Sequence, residues 1–468
     1  MENQEQQNSS KNKVSRGLNL LDSSMLIIGS MIGSGIFIVS AQIARDVQTP
    51  GMVMLNWVVA GIITVLGALS YGELAAAMPK AGGQYVYLKE AYNKFIAFLY
   101  GWTLFAVIQT GTIAAVGVGF AKFTGVFIPA ISAENIVFQL GSFDISTQRI
   151  LAISTILLLT FANFRSVKSG AHLQNFFTFL KIASLLGLII IGLVMGFGGS
   201  GNTANFSAPA SATDSMTSGM IGIFFAAMVG SLFSADAWNN ITFTAGEVQN
   251  PQRNLPRSLI LGTGTVMLIY LLANAVYFYI LPIETIKAAP QDRVATLLMQ
   301  TLLGNTGAYL MAAIVMISTF GCLNGIILTG ARVYYAMAKD GLFFRPAAKL
   351  NKNHVPAYAL VFQAIWACGL TLTGSYGNLL DYVMFAVILF YIFTVAGLFI
   401  LRKKQPDMPR PYKVIGYPFV PALYIILAVA FCVSLLIYKS EYTVPGLGIV
   451  LLGIPLYFIA LKTGKATE

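Results

Sequence analysis

Seven residues, Gly29-Ser30-Met31-Ile32-Gly33-Ser34-Gly35, lie inside an apolar run that extends from Leu18 to about Ala44. Each glycine costs a helix roughly 1 kcal/mol against alanine, so three in seven positions predict a helix broken near its middle. Bare backbone survives at membrane depth only where it lines a cavity or is buried in protein. A half-helix starting near Gly35 would aim free N–H groups and the positive end of its dipole at a carboxylate. The half-helix ending near Ile32 would leave carbonyls free for an ammonium. An α-amino acid carries both groups side by side. The competing reading is close helix packing, because Gly29 and Gly33 form a small-xxx-small pair.

A second interruption falls at Phe233-Ser234-Ala235-Asp236-Ala237-Trp238-Asn239-Asn240, within an apolar run that begins at Ile221. One charge at the bilayer centre costs about 2.5–3.5 kcal/mol on insertion scales, and Asp and Asn compete for backbone hydrogen bonds. This predicts a second broken helix, and its presence favours a ligand site over helix packing at the first. Asp236 has three open roles: partner to a buried cation, acceptor for a substrate ammonium, or brace for the unwound loop. Phe233 and Trp238 read as core aromatics or as a lid over the substrate. Lys181 lies about ten residues into its own apolar run, roughly 15 Å deep at 1.5 Å per residue. It is too deep to snorkel easily to the interface. A buried ammonium there would fill the place of a bound cation or couple transport to pH. Gln109 and Asn324 line a pathway or bond another helix. Glu73, Arg332 and Glu247 read as ion-pair partners toward the cytoplasmic half.

The elements that must carry these residues follow from composition. The 468-residue chain is 56% hydrophobic and only 10% charged, against about 25% charged in soluble proteins. Apolar stretches long enough to span a bilayer recur at about 18–46, 52–78, 94–124, 149–165, 171–196, 218–246, 257–281, 304–338, 356–373, 376–401, 417–438 and 443–463. The fold class is therefore an all-α integral membrane protein of twelve transmembrane helices; nothing alternates as the strands of a membrane barrel would. Of 29 Lys and Arg residues, 21 fall with the termini on one set of loops and 6 on the other, while Lys181 and Arg332 lie inside spans. The positive-inside bias puts both termini in the cytoplasm. It also accounts for the net charge of +11, so no nucleic-acid partner is expected; the partner is the lipid bilayer.

Residues 1–17 are expected to form a disordered cytoplasmic tail without the cleavable signal pattern. Residues 18–402 form a ten-helix transport core, and 403–468 carry helices eleven and twelve with the C-terminal tail. Interruptions in the first and sixth spans, five spans apart, suggest inverted repeats at about 18–196 and 218–402 that place two discontinuous helices around one site. The loop at about 197–217 reads as mobile, and 283–303 as an amphipathic segment across the top. Cys322, Cys368 and Cys432 all lie in apolar spans, and His172 and His354 are the only histidines. No disulfide framework, metal set or cofactor is expected. No nucleophile–base pair is apparent, so there are no catalytic residues and enzyme activity is not expected.

Several motifs resemble the amino acid–polyamine–organocation (APC) transporter superfamily over nearly the whole chain. They are Gly33-Ser34-Gly35-Ile36-Phe37, Tyr71-Gly72-Glu73-Leu74, Pro79-Lys80-Ala81-Gly82-Gly83-Gln84-Tyr85 and Phe98-Leu99-Tyr100-Gly101-Trp102, followed by Trp238-Asn239, Glu247-Val248-Gln249-Asn250-Pro251 and Asn254-Leu255-Pro256-Arg257. The last pieces look most like the L-type (LAT) branch, whose members exchange amino acids. The resemblance implies a LeuT-like 5+5 fold with alternating access. A substrate carboxylate would meet N–H groups around Ser34 and Gly35. Its ammonium would meet carbonyls of Met31, Ile32 and Phe233, with Ser30, Gly33, Ser234, Asp236, Trp238 and Asn239 completing the site and Phe233 as gate. Lys181 matches the lysine that replaces a sodium ion in sodium-independent relatives. The chain departs from the pattern at Ser234-Ala235-Asp236-Ala237, where relatives often have glycine; a stiffer break and a narrower pocket are expected. Animal light chains carry an outer cysteine between spans three and four, but residues 124–148 contain none, so no disulfide-linked heavy chain is expected. The function implied is sodium-independent exchange of neutral, small L-amino acids at the plasma membrane. The alternatives are proton-coupled symport and, from another class, a channel or receptor.

Overall fold

A computed structural model of the chain describes residues 16–80, 82–140, 143–164, 170–207, 218–351, 355–373 and 376–465. Most of the expected tail, much of the 197–217 loop, Ala81 of the quoted motif, the His172 side chain and His354 lie outside the described residues. Eight helices among the described residues are long and apolar enough to cross a membrane, a bent pair makes a ninth span, and three shorter apolar helices match the remaining expected segments.

The bent pair is α1 (Leu20–Met31) and α2 (Gly35–Val47), which meet at 44°. Asn19 and Asp22 cap α1 reciprocally, satisfying two of its orphan donors. The chain stops being helical at Ile32, whose backbone is extended, and resumes at Gly35. The second span is α3 (Pro50–Ala77), started by the Thr49 cap and Pro50. A short helix α4 (Gln84–Ala91) follows. The third span is α5 (Lys94–Thr103), a π-helical turn at Leu104–Gln109, and α6 (Thr110–Thr124). The π turn was not expected from the sequence. It gives a run from which Gln109 reaches across to Ile326 O at 2.6 Å.

The connection to the fourth span, α7 (Thr147–Asn163), carries an antiparallel hairpin of β1 (Ile136–Leu140) and β2 (Phe143–Ser146). No strand was expected there from the sequence. The fifth span is α8 (Gly170–Met195). The sixth is α9 (Ser218–Ala227) and α10 (Val229–Ser234), then non-helical chain to α11 (Asn240–Phe243). Both expected interruptions are therefore present. The seventh span, α12 (Pro251–Ile280), packs along α3 and α1.

A short α13 (Ile283–Lys287) leads into α14 (Val294–Lys339), which turns sharply at Gly304 where φ is +65°. The part before Gly304 is the expected amphipathic segment, the part after it the eighth span. Helices α15 (Ala357–Thr373), α16 (Tyr376–Lys404), α17 (Phe419–Tyr438) and α18 (Ser440–Lys465) complete the bundle. Glu73, 2% exposed, binds Arg402 through two contacts of 2.9 and 2.6 Å and accepts from Val414 N–H. The bidentate pair ties the last turn of the tenth span to α3, and the Val414 bond holds the segment after it to the same carboxylate. Arg332 pairs with Glu247 at 2.9 Å. Asn324 accepts from Asn163 at 2.8 Å, so it bonds another helix.

Candidate substrate site at the two helix breaks

At the first break the N–H groups of Ser34, Gly35 and Ile36 have no acceptor among the described residues. Ser34 stands at the N-cap position of α2, but its side chain makes no capping bond. It lies instead 3.0 Å from the Tyr376 hydroxyl on α16. Three open donors at the positive end of a 13-residue helix form an anion-binding geometry. Met31, Ile32, Ser34 and Gly35 are buried, while Ser30 and Gly33 are half-buried.

The carbonyls ending α1 are largely engaged by side chains from other spans. Lys181 is 1% exposed and its Nζ donates to Gly29 O at 2.8 Å. It does not snorkel; α8 carries it straight into the last turn of α1. One rung further along, Asn175 of α8 donates to Asp22, so the two helices are registered at two points. Cys322 Sγ approaches Ser30 O at 3.7 Å, and Ser318 Oγ donates to Ile32 O at 3.5 Å. The Tyr270 hydroxyl reaches both Met31 O, at 3.0 Å, and Ser234 O, at 3.2 Å, and so bridges the two breaks. Trp57 holds the Tyr270 ring edge-on at 5.5 Å. From the same helix, Asn274 accepts from Ser40 at 2.6 Å and Tyr277 donates to Ile36 O at 3.3 Å. One face of α12 is thus fastened to both halves of the broken helix.

The second break runs from Ala235 to Asn239 and is built differently. Ala237 adopts φ +67°, a left-handed conformation that costs a residue with a Cβ about 1–2 kcal/mol. Asp236 accepts a 2.7 Å hydrogen bond from the Tyr391 hydroxyl of α16, and its N–H returns to Phe233 O at 3.1 Å. The bracing role foreseen for Asp236 is met by these bonds; among the described residues no cation pairs with it. Asn239 donates to Gln84 at 3.3 Å, and Gln84 donates to Thr394 at 3.0 Å. Trp238 is buried edge-on against Tyr71, with centroids 4.8 Å apart, and beside Tyr391. It belongs to the core. Phe233 is only half-buried and meets the Tyr376 ring edge-on at 6.4 Å.

The two breaks touch. A Cβ placed on Gly35 would collide with the Ser234 side chain. On the α11 side of the contact, a small cavity of about 40 Å³ is lined by Asp236, Asn239, Asn240, Gln84, Gln109 and Tyr391, among others. At the far ends the broken helices are also joined, because Leu18 and Val248 form a parallel bridge. All eleven residues expected around the two breaks are therefore found there, and Lys181 adjoins them. Sequence reasoning did not single out Tyr270, Tyr376, Tyr391 or Ser318, and it quoted Gln84 only within a family motif, with no role at the site. A tyrosine in an apolar span reads as packing, and only the fold reveals where its hydroxyl lands. Among the described residues no group of His, Cys, Asp and Glu side chains could hold a metal ion.

The family profile described as amino acid permease matches residues 18–455. The large neutral amino acids transporter small subunit 2 of Mus musculus is 32% identical over 95% of this chain and 81% of its own length. Its Homo sapiens counterpart is 32% identical over 95% and 80%. The b(0,+)-type amino acid transporter 1 of Mus musculus is 31% identical over 87% and 80%. With a match that spans both helix breaks and reaches into the last apolar helix, the chain belongs to the amino acid permease family of the APC superfamily.

Proposed function

We propose that the chain exchanges neutral, small L-amino acids across the plasma membrane by alternating access, without sodium. The observation that carries this reading is the juxtaposition at the first break. Three unpartnered N–H groups at Ser34, Gly35 and Ile36 can receive a carboxylate. The carbonyls of Met31, Ile32 and Phe233 at the two breaks would share the ammonium, which would compete there with the donors that hold them, Tyr270, Ser318 and the Asp236 N–H. Side-chain specificity then falls to Ser30, Gly33, Ser234, Asp236 and Asn239, with Phe233 as the gate against Tyr376; Trp238, packed in the core, backs the wall.

Sodium independence is supported by Lys181. Its ammonium already sits on Gly29 O, where a bound cation would otherwise have to neutralise the end of α1. A small substrate is supported by the contact between Gly35 and Ser234 and by the confined cavity beside Asp236. The relatives compared above include transporters named for large neutral amino acids. A competition panel of alanine and serine against leucine and phenylalanine decides the point. The orientation proposed has both termini in the cytoplasm. No disulfide-linked heavy chain is proposed, since the free cysteines Cys322, Cys368 and Cys432 all lie within helices.

In proteoliposomes, preloading with unlabelled amino acid is expected to accelerate labelled uptake, and replacing sodium with choline to leave it unchanged. Equal uptake by empty liposomes under an imposed proton gradient would instead make the protein a proton symporter. A current that never saturates with substrate would make it a channel.

A further inference from the structure

A cavity of about 560 Å³ shares no lining residue with the helix breaks; it lies where α5, the end of α14 and α18 meet. Its walls are Phe98 and Trp102 of α5, Met337 near the end of α14, Leu342 and Phe343 just after it, and Leu456 of α18. A turn at Gly341, with φ +72°, brings the chain back here, and Phe343 then stacks on Tyr334 at 5.3 Å. Trp102 donates its indole N–H to Ile449 O at 2.8 Å, so the ring has no polar atom left to offer a ligand. The cavity opens toward the hydrocarbon. Phe344 and Ile459, which also line it, are 54% and 56% exposed, and α18 is the least buried of the long apolar helices.

The mouth is cationic. Arg345 lines it and is exposed. Lys94 starts α5 one turn before Phe98, and Lys339 ends α14 two residues after Met337. Among the described residues neither lysine has a carboxylate at ion-pair distance; Lys339 lies over the Tyr335 ring at 4.7 Å. Lys89 and Asp340, at the same end, neutralise each other at 2.7 Å. Lys94 and Trp102 are eight residues apart, about 12 Å along the helix. Water would find few partners in so apolar a slot, and a free anion would leave its depth unused. An amphiphile with an anionic head fits both ends.

We propose that this cavity binds one anionic phospholipid of the cytoplasmic leaflet, with an acyl chain along Phe98, Trp102 and Leu456 and the phosphate among Arg345, Lys94 and Lys339. Basic pockets between transmembrane helices on the cytoplasmic side suit such headgroups. An acyl chain is no worse off in the bilayer than against leucine, so the cavity places the lipid and the charges select it. The bound chain fills the gap between α18 and the rest of the bundle. The leaflet follows from the proposed orientation; the site itself does not rest on the amino-acid reading.

The test is lipid binding to the full chain in detergent, read by native mass spectrometry and by melting temperature. The probes are dioleoylphosphatidylglycerol, dioleoylphosphatidylcholine and glycerol 3-phosphate. Phosphatidylglycerol is expected to bind as a single tight equivalent, roughly tenfold or more above phosphatidylcholine in affinity, and to raise the melting temperature. Glycerol 3-phosphate is expected to do neither. Arg345→Gln combined with Lys339→Gln should weaken phosphatidylglycerol binding about tenfold, as the loss of a charge-assisted hydrogen bond does, and leave phosphatidylcholine unchanged. Leu456→Trp, which fills the apolar end, should abolish the tight equivalent; Ile459→Trp reads the same end should that variant fail to fold. Equal affinity for the two lipids overturns the proposal, and so does a tight equivalent that survives the charge or the filling substitutions. Glycerol 3-phosphate binding as tightly as the lipid also overturns it, since the cations would then hold a free phosphate.

Discussion

The two interrupted helices solve the same problem with opposite means. At the first, glycine and serine expose backbone, and other spans supply the side chains that hold it: Lys181 on Gly29 O, Ser318 on Ile32 O and Tyr270 on Met31 O. At the second there is no glycine between Ala235 and Asn239. The loop reaches outward with its own side chains, Asp236 to Tyr391 and Asn239 to Gln84. The first break therefore offers open N–H groups to a ligand, and the second offers a wall and a gate. A site that must grip any α-amino acid yet sort side chains has reason to divide the two tasks this way.

That division can be broken experimentally. The largest effect is expected from Gly35→Ala, since the new methyl meets Ser234. Overpacking of this kind costs about 1–3 kcal/mol, so exchange should fall about tenfold or more. Adding Ser234→Gly should restore much of it. Simple additivity of the two substitutions would show that the breaks do not bear on each other. Next is Lys181→Met, which removes a charge-assisted bond worth about 1.5–3 kcal/mol. Exchange is expected to drop at least tenfold while the purified protein still elutes as a folded species in detergent. Wild-type rates in that variant would reduce the lysine to a bystander.

The smallest effect, and of opposite sign, is expected from Ala237→Gly at the second break. Relieving a left-handed alanine at φ +67° should stabilise the protein by up to about 1 kcal/mol, offset in part by the greater freedom of glycine in the unfolded chain. A higher melting temperature with a broadened substrate range would support a stiff second break as the source of selectivity. A lower melting temperature would mean that the loop draws its stability from the alanine methyl itself.

Much of this was legible in the chain. The run of glycines at 29–35 and the cluster Asp236-Ala237-Trp238-Asn239 are local violations of helix chemistry, and local violations can be read without knowing any neighbour. The depth of Lys181 was legible for the same reason, because rise per residue is fixed. The tyrosines at 270, 376 and 391 were not, since hydrophobic periodicity places a side chain on a face without saying what its hydroxyl will reach. The π turn at Leu104–Gln109 and the hairpin at 136–146 were equally hidden: the first differs from ordinary helix by a small shift in hydrogen bonding, and the second is too short to show a pattern.

That the chain lives in a bilayer, and where two of its helices must fail, can be read from short segments alone, because transfer of apolar residues and the backbone cost of glycine or charge are local properties. Which carbonyls are already engaged, that Tyr270 joins the two breaks and that the Tyr376 hydroxyl meets Ser34 emerge only from the fold. Those facts depend on residues more than a hundred positions apart meeting within about 3 Å, and no local free energy encodes such a meeting.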